Sequence, residues 1–224
     1  MCLPRFIPEG MGFPLISALL WNQLVYCGSR FLMKDAFHYD FTTWLDLKIP
    51  VIPWTLSVYL GCYLFWTIQY ILCAGLEKEQ AYRFFSADFL AKAICLFFFI
   101  LVPTTNLRPV IQAHDFWSQG LIRLYQIDAA DNLFPSIHCL VSWLCFIGVR
   151  NQSRFPKAYR VFSFFMAAAV CISTLTTRQH VLVDVAGGIL AAEFGWHAVH
   201  KTGFDRLYGR LFSSLFRPAG SSGS

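Results

Sequence analysis

Two short stretches in the second half of the chain contain the residues best suited to chemistry. They are residues 134–138 (FPSIH) and residues 178–184 (RQHVLVD). Each places a histidine at the beginning of an apolar run, and Asp184 follows His180 by four residues, which puts both side chains on one face of a helix. Ionisable groups are expensive to place at membrane depth and usually serve a function there. His138, His180 and Asp184 at one membrane surface therefore predict phosphoryl transfer on a lipid.

The residue types suggest a role for each group. Imidazole is uncharged at neutral pH, since its ordinary pKa is about 6.5, and can attack phosphorus. We expect His180 to be this nucleophile, with Asp184 fixing its tautomer and stabilising the imidazolium that forms. A protonated His138 would donate to the leaving oxygen. Arg108 and Arg178 are candidate ligands of the phosphate oxygens, because guanidinium binds them through two parallel hydrogen bonds. The scheme requires no metal and no cofactor.

Helix starts can bring the two histidines to one phosphate. Pro135 suits the first position of a helix, where its missing N–H has no intrahelical partner to lose. His138 then falls in the first turn, where free N–H groups and the positive end of the helix dipole favour an anion. His180 stands at the start of the last apolar run in the same setting. Both side chains are thus expected to converge on one anion.

The elements that must position these groups are membrane helices. Hydrophobic residues make up 56% of the 224 residues and charged residues 14%, against about 25% charged in soluble domains. We predict an all-α, polytopic protein with six transmembrane helices, at residues 11–32, 51–76, 86–102, 135–149, 161–177 and 181–198. No linker divides the chain, so residues 1–217 are expected to form a single membrane domain. Residues 218–224 (PAGSSGS) are typical of a disordered tail or an expression remnant.

The distribution of basic residues predicts the orientation. With six spans, eleven Lys and Arg residues fall on the side that holds both termini, and six fall on the other side. The positive-inside rule therefore places both termini in the cytoplasm and both histidines at the outer or lumenal face. The net charge of +5 follows the same asymmetry. Because the chain has no nucleic-acid-binding motif, we expect anionic lipid headgroups, and no nucleic acid, to meet these basic residues.

Three motifs resemble the signatures of a known family. Residues 135–138 (PSIH) resemble the Pro-Ser-Gly-His signature of the type 2 phosphatidic acid phosphatase and vanadium haloperoxidase superfamily. His180 and Asp184 resemble the end of its Ser-Arg-x5-His-x3-Asp signature, and residues 108–109 (RP) match the end of Lys-x6-Arg-Pro. The resemblance covers residues 100–195 and fits six-helix membrane members. It implies substrate binding by Ser136 and by Ile137, which stands where the family has glycine.

Two cationic positions of the signatures are occupied by other residues. Leu101 stands where the first signature has lysine, and Thr174 stands where the last has arginine. Arg178 and Arg123 are candidate replacements. The pattern resembles the inositol phosphorylceramide and sphingomyelin synthase branch, which keeps the His, His, Asp triad and often lacks the upstream arginine. Members of that branch transfer a headgroup phosphate to a lipid hydroxyl instead of water.

Several functions are compatible with these features. The leading hypothesis is an integral membrane lipid phosphatase that hydrolyses a lipid phosphate monoester or diphosphate through a phosphohistidine intermediate. A phospholipid headgroup phosphotransferase is the first alternative, and a non-enzymatic membrane transporter or scaffold is another. A metal-dependent hydrolase is less favoured because the chain lacks His-Glu-x-x-His. The expected partners are the bilayer and a lipid phosphate or phospholipid substrate. The oligomeric state, the lipid and the acceptor stay open.

Overall fold

The computed structural model describes residues 10–214, which are mostly helical. Their helices are α1 (Gly12–Gln23), α2 (Ser29–Met33), α3 (Trp44–Lys48), α4 (Leu56–Ala74), α5 (Lys78–Leu101), α6 (Phe116–Ile127), α7 (Ile137–Arg150), α8 (Lys157–Thr176), α9 (Leu182–Thr202) and α10 (Phe204–Ser214). A π-helical turn (Leu24–Gly28) joins α1 to α2, and a 3₁₀ turn (Pro53–Thr55) leads into α4. Strands β1 (Tyr39–Asp40) and β2 (Thr104–Thr105) form one short parallel pair. The predicted tail at 218–224 lies outside the described residues.

Four helical segments are long and apolar enough to cross a membrane. They are Pro53–Ala74, Lys78–Leu101, Lys157–Thr176 and Leu182–Thr202. The span predicted at 135–149 becomes α7, whose 14 residues extend about 21 Å and fall short of a hydrocarbon core of roughly 30 Å. The span predicted at 11–32 is divided among α1, the π-helical turn and α2. The described residues therefore form a membrane protein with four helices of spanning length, and the prediction of six is not confirmed.

Helix α9 lies close against both α7 and α5 because glycines stand at the contacts. A Cβ atom on Gly188 would come 2.5 Å from the carbonyl oxygen of Ser136, and one on Gly195 would come 2.9 Å from that of Ala87. Small residues allow this backbone approach, as is common where membrane helices pack together. The packing sets the starts of α7 and α9 side by side.

An ion pair lies inside the bundle. The ammonium of Lys92 is 2.9 Å from the carboxylate of Asp88, one turn earlier on α5, and the hydroxyl of Tyr70 on α4 donates to the same carboxylate at 2.5 Å. The side chains of Lys92 and Asp88 are almost fully buried. Because each charge has an opposite partner, both can be held at membrane depth. The hydrogen bond from Tyr70 to Asp88 also links α4 to α5.

Short elements cover the end of the bundle where α7 and α9 begin. Helix α3 starts with a capping box, in which Thr43 and Asp46 bond to each other's backbone N–H groups. Helix α6 contacts the same end of the bundle, since the hydroxyl of Tyr125 donates to the carbonyl oxygen of Thr177 at 2.8 Å. These elements surround the loop between α8 and α9, which contains His180.

Candidate active site

His138 lies in the first turn of α7, where the sequence predicted it. Ser136 is the N-cap of this helix, and its hydroxyl accepts a hydrogen bond from the N–H of Cys139 at 3.3 Å. Since Ser136 is fully buried and its oxygen is engaged in capping, its direct role here is to begin the helix. Ile137 follows it and lines the same cavity as His138.

Aromatic side chains of α4 hold the His138 ring. Tyr59 stacks on it with the ring centroids 4.5 Å apart, and the Trp66 ring lies 5.4 Å away. The hydroxyl of Tyr63 lies 3.4 Å from Nε2 of His138. These residues are spaced by four and three positions, so they share one face of α4. The imidazole is therefore held in position by three aromatic side chains of α4.

His180 is oriented by Asp184 and by the end of α8. Nδ1 of His180 lies 3.3 Å from Oδ2 of Asp184, and the same carboxylate oxygen accepts the N–H of Val181 at 3.0 Å. The backbone N–H groups of Gln179 and His180 both donate to the carbonyl oxygen of Thr174, at 3.0 and 3.1 Å. A carboxylate on Nδ1 favours the proton on that nitrogen, which leaves Nε2 with its lone pair. This is the tautomer that nucleophilic attack requires.

The two histidines face one cavity. Their ring centroids are 5.9 Å apart, and both line a space of about 710 Å³. This volume lies within the usual range of small-molecule sites. The polar part of the lining, or polar end, includes His138, His180, Arg108 and Gln179, together with Arg30, Asp128, Asp131 and Asn132. Away from this end, α1 and α4 contribute an apolar wall that includes Leu15, Leu19, Leu60 and Ile71. The cavity therefore suits an amphiphile with an anionic head.

Arg108 lies at the polar end of the cavity. Its guanidinium donates to the carbonyl oxygen of Asp128 and, at 2.8 Å, to Oε1 of Gln179. It also stacks on Tyr125, with 4.8 Å between the guanidinium carbon and the ring centroid. Burial raises the pKa of Tyr125 to about 12, although Arg108 and Arg178 oppose the shift, so this phenol is neutral at physiological pH. Arg108 is thus held by several contacts at the cavity that both histidines line.

The other two predicted arginine ligands lie elsewhere. Among the described residues, Arg108 lines the cavity and neither Arg178 nor Arg123 does so. Arg178 has a left-handed backbone (φ 54°), and its guanidinium donates to the carbonyl oxygens of Asp46 and Ile49 at the end of α3. The carbonyls at a helix C-terminus lack intrahelical partners, which explains why they attract this cation. Arg123 is exposed on α6.

Two residues near the site were not singled out from the sequence. Gln179 lies beside Arg108, and Asp46 accepts the N–H of Leu182, the first residue of α9, at 2.7 Å. Burial alone would raise the pKa of Asp46, but hydrogen bonds from Thr43 and Leu182 and the charge of Arg178 hold it below its ordinary value. Asp46 therefore caps α9 as an anion. The Thr-x-x-Asp pattern of its capping box was the available sequence signal.

The residues of the site supply acid, base and anion-binding groups. In the described part of the chain, no group of three or more His, Cys, Asp and Glu side chains is arranged to hold a metal ion. The groups present at the site are the two imidazoles, the carboxylate and the nearby N–H donors.

Comparison with known proteins gives one match. The model of a family described as the PAP2 superfamily matches residues 32–198, a range that contains Arg108, His138, His180 and Asp184. No curated protein and no solved structure matches the chain.

Proposed function

Because this chain belongs to the PAP2 superfamily, we propose that it is an integral membrane lipid phosphatase, which hydrolyses a lipid phosphate monoester or diphosphate through a phosphohistidine. The family is the one predicted from the sequence signatures, and that prediction is confirmed. The observation that carries the proposal is the placement of His180, bonded to Asp184, 5.9 Å from His138 at the polar end of an amphiphile-sized cavity.

The first step forms the covalent intermediate. Nε2 of His180 attacks the phosphorus, and the bond from phosphorus to the lipid oxygen breaks. His138 gives its proton to the leaving oxygen: a monoester then releases the lipid as a neutral alcohol, and a diphosphate, cleaved at its bridging oxygen, releases the lipid monophosphate. Asp184 stabilises the positive charge that develops on His180. Arg108 is the proposed ligand of the non-bridging oxygens, whose charge it offsets.

The second step reverses the proton flow. His138 is now neutral and takes a proton from water as the water oxygen attacks the phosphorus. The bond between phosphorus and Nε2 of His180 breaks, inorganic phosphate leaves, and the enzyme returns to its starting state. A lipid hydroxyl in place of water would give a new phospholipid by the same proton transfers. The two histidines therefore serve either reaction, and the acceptor decides the product.

The lipid is proposed to occupy the whole cavity. Its phosphate would lie between the histidines and its chain along the apolar wall formed by α1 and α4. We propose that this site opens at the outer or lumenal face, with both termini in the cytoplasm, because the excess of Lys and Arg lies on the side of the termini. Arg178 and Asp46 support the reaction indirectly, since they fix the loop that contains His180.

Headgroup transfer from a phosphodiester is the second candidate, and the charge of the cavity favours it. Three cations line the cavity in residues 10–214. Arg30 is paired with Asp128 and Asp131, and Lys92 with Asp88, so within the described residues Arg108 has no carboxylate partner. A phosphodiester carries one negative charge, whereas a monoester carries up to two. Among the Lys and Arg side chains of this lining in the described residues, one is left unpaired, which matches the single charge of a diester.

Incubation with labelled lipids tests both candidates. Purified protein in lipid nanodiscs would receive phosphatidic acid, a polyprenyl diphosphate or a phospholipid, each labelled with ³²P, with and without a lipid alcohol. Release of inorganic phosphate supports the phosphatase, and label on a new lipid supports the transferase. Both activities should disappear in His180→Ala. Inertness toward every lipid, or undiminished turnover by His180→Ala, would overturn the proposed function.

A further inference from the structure

We propose that Gln179 is a phosphate-binding residue whose side-chain amide N–H donates to a non-bridging phosphate oxygen beside Arg108. The proposal rests on the proposed function, because it requires a phosphate at the polar end of the cavity. Gln179 lies directly before His180 and lines the cavity with it. It supplies a donor where Leu101 and Thr174 supply none.

The contact with Arg108 determines which way the amide faces. Nη2 of Arg108 lies 2.8 Å from the Gln179 side chain. A guanidinium group only donates hydrogen bonds, so the amide atom that faces it must be the acceptor Oε1. Nε2 consequently faces away from Arg108, and its two hydrogens are available for another group.

The amide nitrogen is buried and has no partner within the described chain. The side chain of Gln179 is 2% exposed, and Nε2 makes no hydrogen bond there. A buried donor of this kind is unfavourable unless a ligand or water satisfies it. Two hydrogen bonds fix the residue: its own N–H donates to Thr174, and Arg108 donates to its side chain. The unpaired N–H is therefore held in place, at the cavity that both histidines line, before a ligand arrives.

The two cationic signature positions explain why a neutral donor is useful here. Leu101 is 59% exposed at the end of α5, and Thr174 is fully buried with its hydroxyl bonded to Cys171. Neither can bind a phosphate oxygen as a cation would. Gln179 and Arg108 together provide several N–H donors with a single positive charge. Such a pair can bind the equatorial oxygens of a phosphoryl group in transfer.

Two substitutions distinguish donation to phosphate from mere support of Arg108. Gln179→Glu keeps an acceptor for Arg108 and replaces the N–H donor with an anionic oxygen. Gln179→Leu removes both the acceptor and the donor. If Gln179 binds phosphate, the glutamate variant should bind an oxyanion more weakly than the leucine variant. If Gln179 only positions Arg108, the glutamate variant, which keeps that contact, should not bind the oxyanion more weakly than the leucine variant, which loses it.

Orthovanadate is the probe, because it adopts the geometry of a phosphoryl group in transfer. Its dissociation constant would be measured by titration calorimetry on the full chain in detergent. We expect Gln179→Leu to raise this constant about tenfold and Gln179→Glu to raise it roughly a hundredfold. Gln69→Leu is the matched control: Gln69 is fully buried, donates to Ser163 and does not line the cavity within the described residues, so vanadate binding should be unchanged.

The outcomes separate this proposal from the proposed function. Vanadate binding by Gln179→Glu at the wild-type level overturns the role of Gln179 and leaves the phosphatase intact. A wild-type protein that neither binds vanadate nor turns over any lipid phosphate overturns both. If the wild type turns over lipid phosphate but does not bind vanadate, kcat/KM is compared instead. It must be highest for the wild type, lower for the leucine variant and lowest for the glutamate variant; any other order overturns the proposal. If the glutamate variant does not fold, an undiminished kcat/KM in Gln179→Leu overturns it.

Discussion

The backbone N–H of Ser136 donates a hydrogen bond of 3.0 Å to the backbone carbonyl of Asp184. This bond joins the residue that begins α7 to the first turn of α9. It sets the distance between the helix that carries His138 and the carboxylate that orients His180. The relative position of the two histidines therefore depends on how closely α7 and α9 approach, and that approach can be changed without touching either imidazole.

Gly188→Ala should separate α7 from α9. A Cβ at this position would come 2.5 Å from the carbonyl oxygen of Ser136, so the helices must move apart. We expect a loss of about 1–3 kcal/mol in stability and a fall in turnover of at least tenfold. Gly61→Ala on α4 is the control, because no atom lies within 4 Å of its added Cβ and alanine favours the helix. Melting temperature and phosphate release check both variants. Equal turnover in the two would contradict this account.

The alanine variants of His138 and His180 should differ in whether they form a phosphoenzyme. An aryl phosphate has a good leaving group that needs no proton, so His138→Ala should still become labelled from a ³²P aryl phosphate but release the label slowly. His180→Ala should take up no label. Asp184→Asn should still become labelled, but at a rate lower by about 10²–10⁴-fold, because the tautomer of His180 is no longer fixed. The measurement is acid-labile, alkali-stable ³²P on the protein. Labelling of His180→Ala but not of His138→Ala would reverse the assigned roles.

Replacement of each arginine by lysine should distinguish the role of Arg108 from that of Arg178. Arg108→Lys loses the planar contact with Gln179 and Tyr125 and is expected to lower kcat/KM by about 10–100-fold, with little change in melting temperature. Arg178→Lys loses hydrogen bonds to the carbonyl oxygens at the end of α3 and is expected mainly to lower the melting temperature. Both kcat/KM and the melting temperature should be measured for each variant. A larger fall in kcat/KM for Arg178→Lys than for Arg108→Lys would point to Arg178 as the phosphate ligand.

The orientation can be tested with single cysteines. Residue 114 precedes α6 at the end of the bundle that holds the histidines, and residue 153 lies between α7 and α8 at the other end; both are exposed. In a background with Cys2→Ser and Cys27→Ser, a membrane-impermeant maleimide added to intact cells should label His114→Cys and leave Ser153→Cys unlabelled. Labelling of both after lysis is the control. Labelling of residue 153 alone in intact cells would place the active site on the cytoplasmic side.

The sequence predicted the groups whose roles depend on local spacing. His180 and Asp184 lie four residues apart at a helix start, and this separation alone brings them into contact. Arg178 was assigned to the phosphate because of its proximity in sequence, but its left-handed backbone and the open carbonyls of α3 direct it elsewhere. Gln179 depends on a partner 71 residues away, so local spacing gives no signal for it.

The predicted membrane spans likewise depended on features that an apolar run does not show. An apolar run indicates membrane depth, but it does not indicate where the helix within it begins or ends. The run at 11–32 contains a π-helical turn, and the run at 135–149 becomes a helix that starts only after the N-cap Ser136. In α7 this late start places His138 in the first turn. The length of the hydrophobic stretch therefore overestimated the continuous helix at 11–32, and at 135–149 the start was predicted two residues too early.

Asp46 should make stability depend on pH in the acidic range. Its pKa in the folded protein lies below the ordinary value of 3.8, so the unfolded chain binds more protons near that pH. The stabilisation from Asp46 is therefore fully present above about pH 5 and is lost as the pH falls through the folded pKa.

Asp46→Asn removes the anion that caps α9 and faces Arg178. We expect its melting temperature to lie below that of the wild type at pH 7 and the difference to shrink toward pH 3. Asp35→Asn, at an exposed carboxylate, is the control and should show no such trend. A difference between Asp46→Asn and the wild type that stays constant from pH 7 to pH 3 would show that the charge of Asp46 does not stabilise the loop that contains His180.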